Sequence, residues 1–233
     1  MNCSYIYFLL LPFIISLIIG NPLIKLLKSL DAKQTIREDG PSSHKTTKSK
    51  TPTIGGLIFL IPVFLLSVSA FLLVKDFQST NLITVLSVTF VMAALGFADD
   101  LLKVLKKHNK GISGWLKLSI QLLVSLILFL IYKEGAGLLY LILVFFVIAG
   151  SSNSYNLTDG LDGLLAGISL VSFLGFAFLF NSQGNYELTL FSIAFIGALL
   201  GFLFFNRHPA KVFMGDTGSL ALGGAIGSLA IVS

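Results

Sequence analysis

The chain has 233 residues, 55% of them hydrophobic and only 12% charged, with a mean hydropathy of +0.91 and a net charge of +5. Soluble domains carry about 25% charged residues, so this composition excludes an ordinary water-soluble globule and places the chain in the membrane class. Basic loops held on one side of a bilayer are enough to produce the positive balance, which by itself names no anionic partner. A single cysteine, Cys3, excludes an intramolecular disulfide and a cysteine metal site.

In chain order, apolar runs at 5–24, 54–74, 82–98, 116–132, 138–149, 164–180, 188–205 and 220–232 read as helices crossing the bilayer. A crossing needs about 20 residues, and several runs reach that length only with their polar flanks. Strand-like alternation is absent, which argues against a barrel, and no fixed-period repeat or flexible linker divides the chain. The expected fold is all-α: one integral-membrane domain over residues 1–233, a polytopic transmembrane helical bundle with about eight spans. No Lys or Arg precedes the first run, whereas Lys25, Lys28, Lys33 and Arg37 follow it. That order is the reverse of a cleaved signal peptide and predicts an N-terminus outside the cell.

The charges sort by loop. Lys25, Lys28, Lys33, Arg37, Lys45, Lys48 and Lys50 lie between the first two runs. Lys103, Lys106, Lys107, Lys110 and Lys117 lie around the third connection, and Arg207 and Lys211 before the last run. Only Lys75 and Lys133 fall on the other side. The positive-inside rule makes the lysine-rich face cytoplasmic. Asp99, Asp100, Asp159, Asp162 and Asp216 are on that face too, at the ends of apolar runs. Carboxylates so close to hydrocarbon are costly, and mark functional positions by default.

Three strings carry these acids: Gly96-Phe97-Ala98-Asp99-Asp100, Asn156-Leu157-Thr158-Asp159-Gly160-Leu161-Asp162-Gly163, and Phe213-Met214-Gly215-Asp216-Thr217-Gly218-Ser219. Convergent carboxylates suit a hard cation such as Mg²⁺, which is held by one or two carboxylates together with substrate phosphates. On a helix Asp99 and Asp100 point apart, so one can face a metal and the other a nucleophile. Asp159 and Asp162, three apart, would share a helical face, where like charges repel unless a cation relieves them. Gly160, Gly163, Gly215 and Gly218 allow close approach of backbone to a ligand, and helix starts near Asp162 and Ser219 would offer free N–H groups to phosphates. Taken singly, Asp162 or Ser219 reads equally well as a helix cap. Lys48 and Lys117 sit beside spans, within reach of phosphates, whereas Lys103, Lys106, Lys107 and Lys110 also read as ordinary charge at a span end. His44, His108 and His208 are too scattered to form a metal motif. Trp115 reads as an interfacial anchor, and Phe213, three residues before Asp216, stands apart from the lipid-facing phenylalanines.

These strings resemble the signatures of the polyprenyl-phosphate N-acetylhexosamine-1-phosphate transferases, and with the first connecting loop the likeness runs from about Gln34 to the C-terminus. In that loop, Gln34-Thr35-Ile36-Arg37-Glu38-Asp39-Gly40-Pro41, Ser43-His44 and Thr51-Pro52-Thr53-Ile54-Gly55-Gly56 resemble the branch that uses a muramoyl-pentapeptide donor. The resemblance implies UDP-N-acetylmuramoyl-pentapeptide and undecaprenyl phosphate as substrates, with UMP and the first lipid-linked peptidoglycan intermediate as products. It implies Mg²⁺ as cofactor on Asp216, and Asp99, Asp100, Asp159 and Asp162 as catalytic acids. Lys48, Lys103, Lys107, Lys117, Asn153, Asn156 and Phe213 would bind substrate, Phe213 by stacking near uracil. Expected partners are those two substrates, the lipid bilayer of a bacterial cytoplasmic (inner) membrane and, as one assembly, a homodimer; nucleic acid is not among them. The chain departs from the family pattern twice. Between His44 and Thr51 it has one extra residue, with Lys50 where the family has glycine, and it ends at Ser233 without the remaining spans and His-rich loop of a family with about ten spans. The expectation is therefore a C-terminally truncated transferase. Three readings stand beside it: the same chemistry on UDP-N-acetylglucosamine, a transporter or ion pathway that uses these acids, and an inactive chain that only binds lipid or partners.

Overall fold

The computed structural model describes residues 3–32, 51–73, 79–106, 111–132 and 137–233. The described residues form eight helices and no sheet: α1 (Cys3–Ser29), α2 (Leu57–Leu73), α3 (Thr80–Lys106), α4 (Gly114–Tyr132), α5 (Leu138–Thr158), α6 (Leu164–Ser182), α7 (Tyr186–Asn206) and α8 (Gly215–Val232). Seven are long and apolar enough to cross a membrane, and α2, with 17 described residues, is the shorter one. This is the polytopic helical bundle the apolar runs predict. Helices are the natural solution because hydrocarbon offers no partner to a backbone N–H or C=O, and a helix satisfies both internally.

The helix ends differ from the runs in ways that matter. α3 continues past residue 98 to Lys106, so Asp99, Asp100 and Lys103 sit on a helix. Leu101, Leu102, Lys103, Leu105 and Lys106 are good helix formers, and no Gly or Pro interrupts Asp99–Lys106. α5 likewise runs on to Thr158, which puts Asn153 and Asn156 on a helix rather than in a loop. α8 starts at Gly215, which brings Asp216 into its first turn. Ser219 is therefore inside α8 rather than at its start, and its hydroxyl donates back to the Gly215 carbonyl at 3.0 Å. Asp159 and Asp162 do not share a helical face. Residues 159–163 form a turn in which Gly163 is left-handed (φ 75°), and Gly163, not Asp162, precedes the first residue of α6.

α7 and α8 lie in the middle of the bundle. α8 packs between α3 and α5, and α7 against α1, α2 and α6. Small residues permit this, because lipid gives apolar side chains no reason to prefer one another and close backbone approach must supply the attraction. Gly197 of α7 lies on the backbone of Leu9 in α1, Gly223 of α8 on that of Ser151 and Ser152 in α5, and Gly224 on Met92 of α3. Phe59, Phe173, Phe191, Phe195 and Phe202 fill the core between α2, α6 and α7, with the Phe173 and Phe195 rings stacked 4.4 Å apart. A second apolar core of Val88, Met92, Leu95, Val124, Leu128, Val144, Ile148 and Leu220 fills the space between α3, α4, α5 and α8.

Before α2, residues 52–56 lie along residues 213–214. The Phe213 N–H donates to the Pro52 carbonyl at 2.9 Å, and Gly55 and Gly56 donate to the carbonyls of Phe213 and Met214 at 2.8 and 2.9 Å. This pins the entry to α8 from one side. Gly96 pins it from the other, because its Cα faces the Asp216 carbonyl so closely that a Cβ there has no room. Gly96→Ala is therefore expected to lower stability by about 1–3 kcal/mol through overpacking. Gly167→Ala on α6, where a Cβ would meet nothing within 4 Å, should leave stability unchanged or raise it by up to about 1 kcal/mol. Thermal unfolding of both variants in detergent checks the contrast.

Candidate active site

Four helix ends meet at one end of the bundle. The last two turns of α3 bring Asp99, Asp100 and Lys103, the first turn of α4 brings Lys117, the end of α5 brings Asn156, and the start of α8 brings Asp216 and Thr217. Oxygen atoms of Asp99, Asp100 and Asp216 all lie within 4.8 Å of one another.

The two neighbouring aspartates have different surroundings. Asp100 is 2% exposed, and both its oxygens are engaged by α8. Its Oδ1 accepts the Asp216 N–H at 3.2 Å, and its Oδ2 accepts the Thr217 N–H at 2.9 Å and the Thr217 hydroxyl at 2.7 Å. It thus caps the α8 N-terminus from another helix, where free N–H groups and the helix dipole favour a negative charge. Gly215 makes this possible: it has φ 70°, and a side chain there would run into the Asp100 carboxylate and the Thr53 hydroxyl.

Asp99 faces the lysines. Its Oδ2 lies 2.5 Å from Lys103 Nζ, and its Oδ1 lies 2.9 Å from Lys117 Nζ and accepts the Ile112 N–H at 2.7 Å. Asp216 shares the same cations, with Oδ1 3.2 Å from Lys103 and Oδ2 2.7 Å from Lys117. The Asn156 amide donates to Asp216 Oδ1 at 3.0 Å and to the Ser219 hydroxyl at 2.9 Å. Of the three acids Asp216 is the most open, its side chain 14% exposed against 1% for Asp99. Lys103 and Lys117, at 31% and 18%, stand at the mouth beside it.

The donor set is carboxylate oxygen with an amide nearby, which suits a hard cation and not a soft one. With all groups ionised, three carboxylates and two ammoniums leave one net negative charge. A divalent ion reverses that sign and makes the pocket attractive to phosphates.

Of the residues predicted from the sequence, Asp99, Asp100, Asp216, Lys103, Lys117 and Asn156 come together. Asp159 and Asp162 do not belong to the group of three carboxylates. Asp159 directly follows α5 as its C-terminal cap, and Asp162 lies at a separate corner, where its Oδ2 accepts the Ala210 N–H at 3.1 Å and faces His208 Nδ1 at 3.0 Å. Asn153 turns its amide nitrogen toward Gln121 Oε1 (3.1 Å) and the Ala149 carbonyl (2.7 Å), within the α4–α5 seam. Phe213 is half-buried two residues before α8. Lys48 and Lys107 lie outside the described residues.

Sequence reasoning passed over Thr217, Gln121 and Asn206. Asn206 accepts the Gly163 N–H at 3.0 Å and donates to the Val212 carbonyl at 2.9 Å, tying the 159–163 turn to the approach of α8. Gln121 had a legible signal: it is a lone amide in an apolar run, one turn after Lys117.

Replacing Asp216 with Asn should weaken Mn²⁺ binding by about tenfold or more, whereas Asp162→Asn should leave it unchanged, because only Asp216 belongs to the carboxylate group. Electron paramagnetic resonance titration of free Mn²⁺ against each purified variant measures this.

Residues 82–233 match the model of glycosyl transferase family 4. The phospho-N-acetylmuramoyl-pentapeptide-transferase of Anoxybacillus flavithermus is 44% identical over 241 residues, covering 96% of this chain and 73% of that relative. The proteins of the same name from Shouchella clausii and Bacillus subtilis are 43% and 41% identical over 246 residues, each match covering 75% of the relative.

Proposed function

The chain belongs to glycosyl transferase family 4, among the phospho-N-acetylmuramoyl-pentapeptide-transferases, and is a membrane-embedded phospho-sugar transferase; on that premise we propose that it moves phospho-N-acetylmuramoyl-pentapeptide from its UDP donor to undecaprenyl phosphate. UMP and the first lipid-linked intermediate of peptidoglycan are the products. The observation that carries this reading is the meeting of Asp99, Asp100 and Asp216 with Lys103 and Lys117 at one end of a bundle of membrane-crossing helices. The charge pattern of the loops supports a cytoplasmic orientation of that end, where a nucleotide donor is present and a lipid phosphate sits at headgroup depth.

In the proposed reaction an oxygen of the lipid phosphate forms a bond to the sugar-linked phosphorus. The bond from that phosphorus to the oxygen bridging the two donor phosphates breaks, and UMP departs with that oxygen. Such transfers need positioning and charge neutralisation more than covalent chemistry from the protein. Lys103 and Lys117 stand at the mouth and supply two of the positive charges. Mg²⁺ held by Asp216 with its neighbouring carboxylates would neutralise the diphosphate and favour departure of UMP. Asp99, unlike Asp100, turns its oxygens to the Lys103 and Lys117 ammonium groups, and so is the member of the pair suited to orient the incoming phosphate. That phosphate is largely ionised near neutral pH, with a second pKa of about 6, so a strong base is not required. Asp100 holds the first turn of α8, and with it Asp216. On the family resemblance alone, Asp159 and Asp162 are assigned as further catalytic acids, and Asn153, Phe213, Lys48 and Lys107 as substrate-binding residues.

Purified chain supplied with both substrates and Mg²⁺ should release UMP and form a lipid-linked diphosphate. Omission of either substrate or addition of EDTA should stop the reaction, and Asp216→Asn should lower its rate by about a hundredfold or more. UMP release without the lipid, or faster release from UDP-N-acetylglucosamine than from the muramoyl-pentapeptide donor, would contradict the assignment.

A further inference from the structure

One helix of the site is thinly attached. α4 presents Trp115, Leu122, Leu123, Leu126 and Leu130 outward, and only Gln121, Val124, Ser125 and Leu128 are buried. Yet this helix carries Lys117, whose ammonium must lie between Asp99 and Asp216 at 2.9 and 2.7 Å. A lysine stem is long and flexible, so what fixes the ammonium is the placement of the helix turn that bears it.

One turn beneath Lys117, and on the same face, is Gln121, which is fully buried. Its Oε1 accepts the Asn153 amide of α5 at 3.1 Å, and Asn153 is itself one turn beneath Asn156, which holds Asp216. The Gln121–Asn153 bond thus lies parallel to the cluster, one turn deeper, and joins the two helices that bring Lys117 and Asn156 to the same carboxylate. Below it the seam is apolar, built on Val124, Leu128, Val144 and Ile148.

Stability does not account for this residue. Gln121 Nε2 is buried without a hydrogen-bond partner among the described residues, and a buried unpaired donor is costly. A leucine of similar volume would fill the seam without that cost, and Asn153 would keep its bond to the Ala149 carbonyl. We propose that Gln121 is a positioning residue for phosphoryl transfer: through Asn153 it holds the first turn of α4 against α5, so that Lys117 stays on Asp99 and Asp216. The inference rests on the reaction proposed above, and it extends that reading to a residue that touches no substrate.

The test is Gln121→Leu, measured in three ways. Thermal unfolding should be unchanged or shifted upward, while kcat for UMP release falls about tenfold or more and KM for the donor stays the same, as expected when a supporting partner of a charged group is lost. In a Lys117→Met background the same substitution should cause no further loss. Acylation of Lys117 by an amine-reactive reagent, followed by peptide mass spectrometry, should speed up several-fold in Gln121→Leu, with Lys103 unchanged. The exchanged pair Gln121→Asn with Asn153→Gln should recover activity relative to either single variant. Unaltered Lys117 labelling, an equal loss of kcat on both backgrounds, or a fall in unfolding temperature that parallels the loss of activity would overturn the proposal. The labelling arm is read without turnover, so a failed transferase assignment and a failed positioning role give different results.

Discussion

Three hydrogen bonds from the first turn of α8 to the Asp100 carboxylate hold the site in one piece. A helix start leaves N–H groups without internal partners, and here a buried aspartate from a neighbouring helix takes them. Because Asp216 is the second residue of that helix, the bonds that cap α8 also fix the acid nearest the opening. Gly55, Gly56, Gly96 and Gly215 then make the fit close: a Cβ at the first three would run into residues 212–218, and one at Gly215 into the Asp100 carboxylate. The two adjacent aspartates thus divide their work: Asp100 fixes the backbone, and Asp99 fixes the charges.

The remainder of the bundle serves this arrangement in a solvent that rewards no apolar contact over another. Glycines let α8 lie against α3 and α5, and α7 against α1, at backbone distance. Phenylalanines fill the wider spaces around α7. At the end away from the site, polar pairs close the helix connections: Glu187 with Ser79, and the Tyr132 hydroxyl on Asn81 and Thr84. α4 takes the smallest share of packing and brings one of the two lysines. It meets α5 through the apolar seam of Val124, Leu128, Val144 and Ile148 and through the Gln121–Asn153 bond.

The membrane character and the number of helices were legible in the sequence because hydropathy acts on twenty residues at once. Helix ends were less legible, because they are decided by local contacts: α3 runs on through Asp99 and Asp100, and α8 starts five residues before its apolar run, once Asp100 is there to cap it. That Asp99, Asp100, Asp216, Lys103, Lys117 and Asn156 belong to one candidate site was readable from charge beside apolar runs and from family resemblance. Which acids would meet was not, since the turn at 159–163, set by Gly163, carries Asp162 to the corner with His208 and Ala210 instead. Thr217 and Gln121 work through partners distant in the chain, Asp100 and Asn153, and nothing in spacing alone connects those pairs.

If the carboxylate group and the donor diphosphate share one cation, electron–nuclear double resonance on the Mn²⁺-loaded protein with the UDP donor added should show phosphorus couplings from the donor on Mn²⁺ bound to the wild-type chain. The couplings should disappear in Asp216→Asn at the same protein and donor concentrations. Phosphorus couplings of equal strength in both proteins would contradict it, because the ion would then be held by the nucleotide alone.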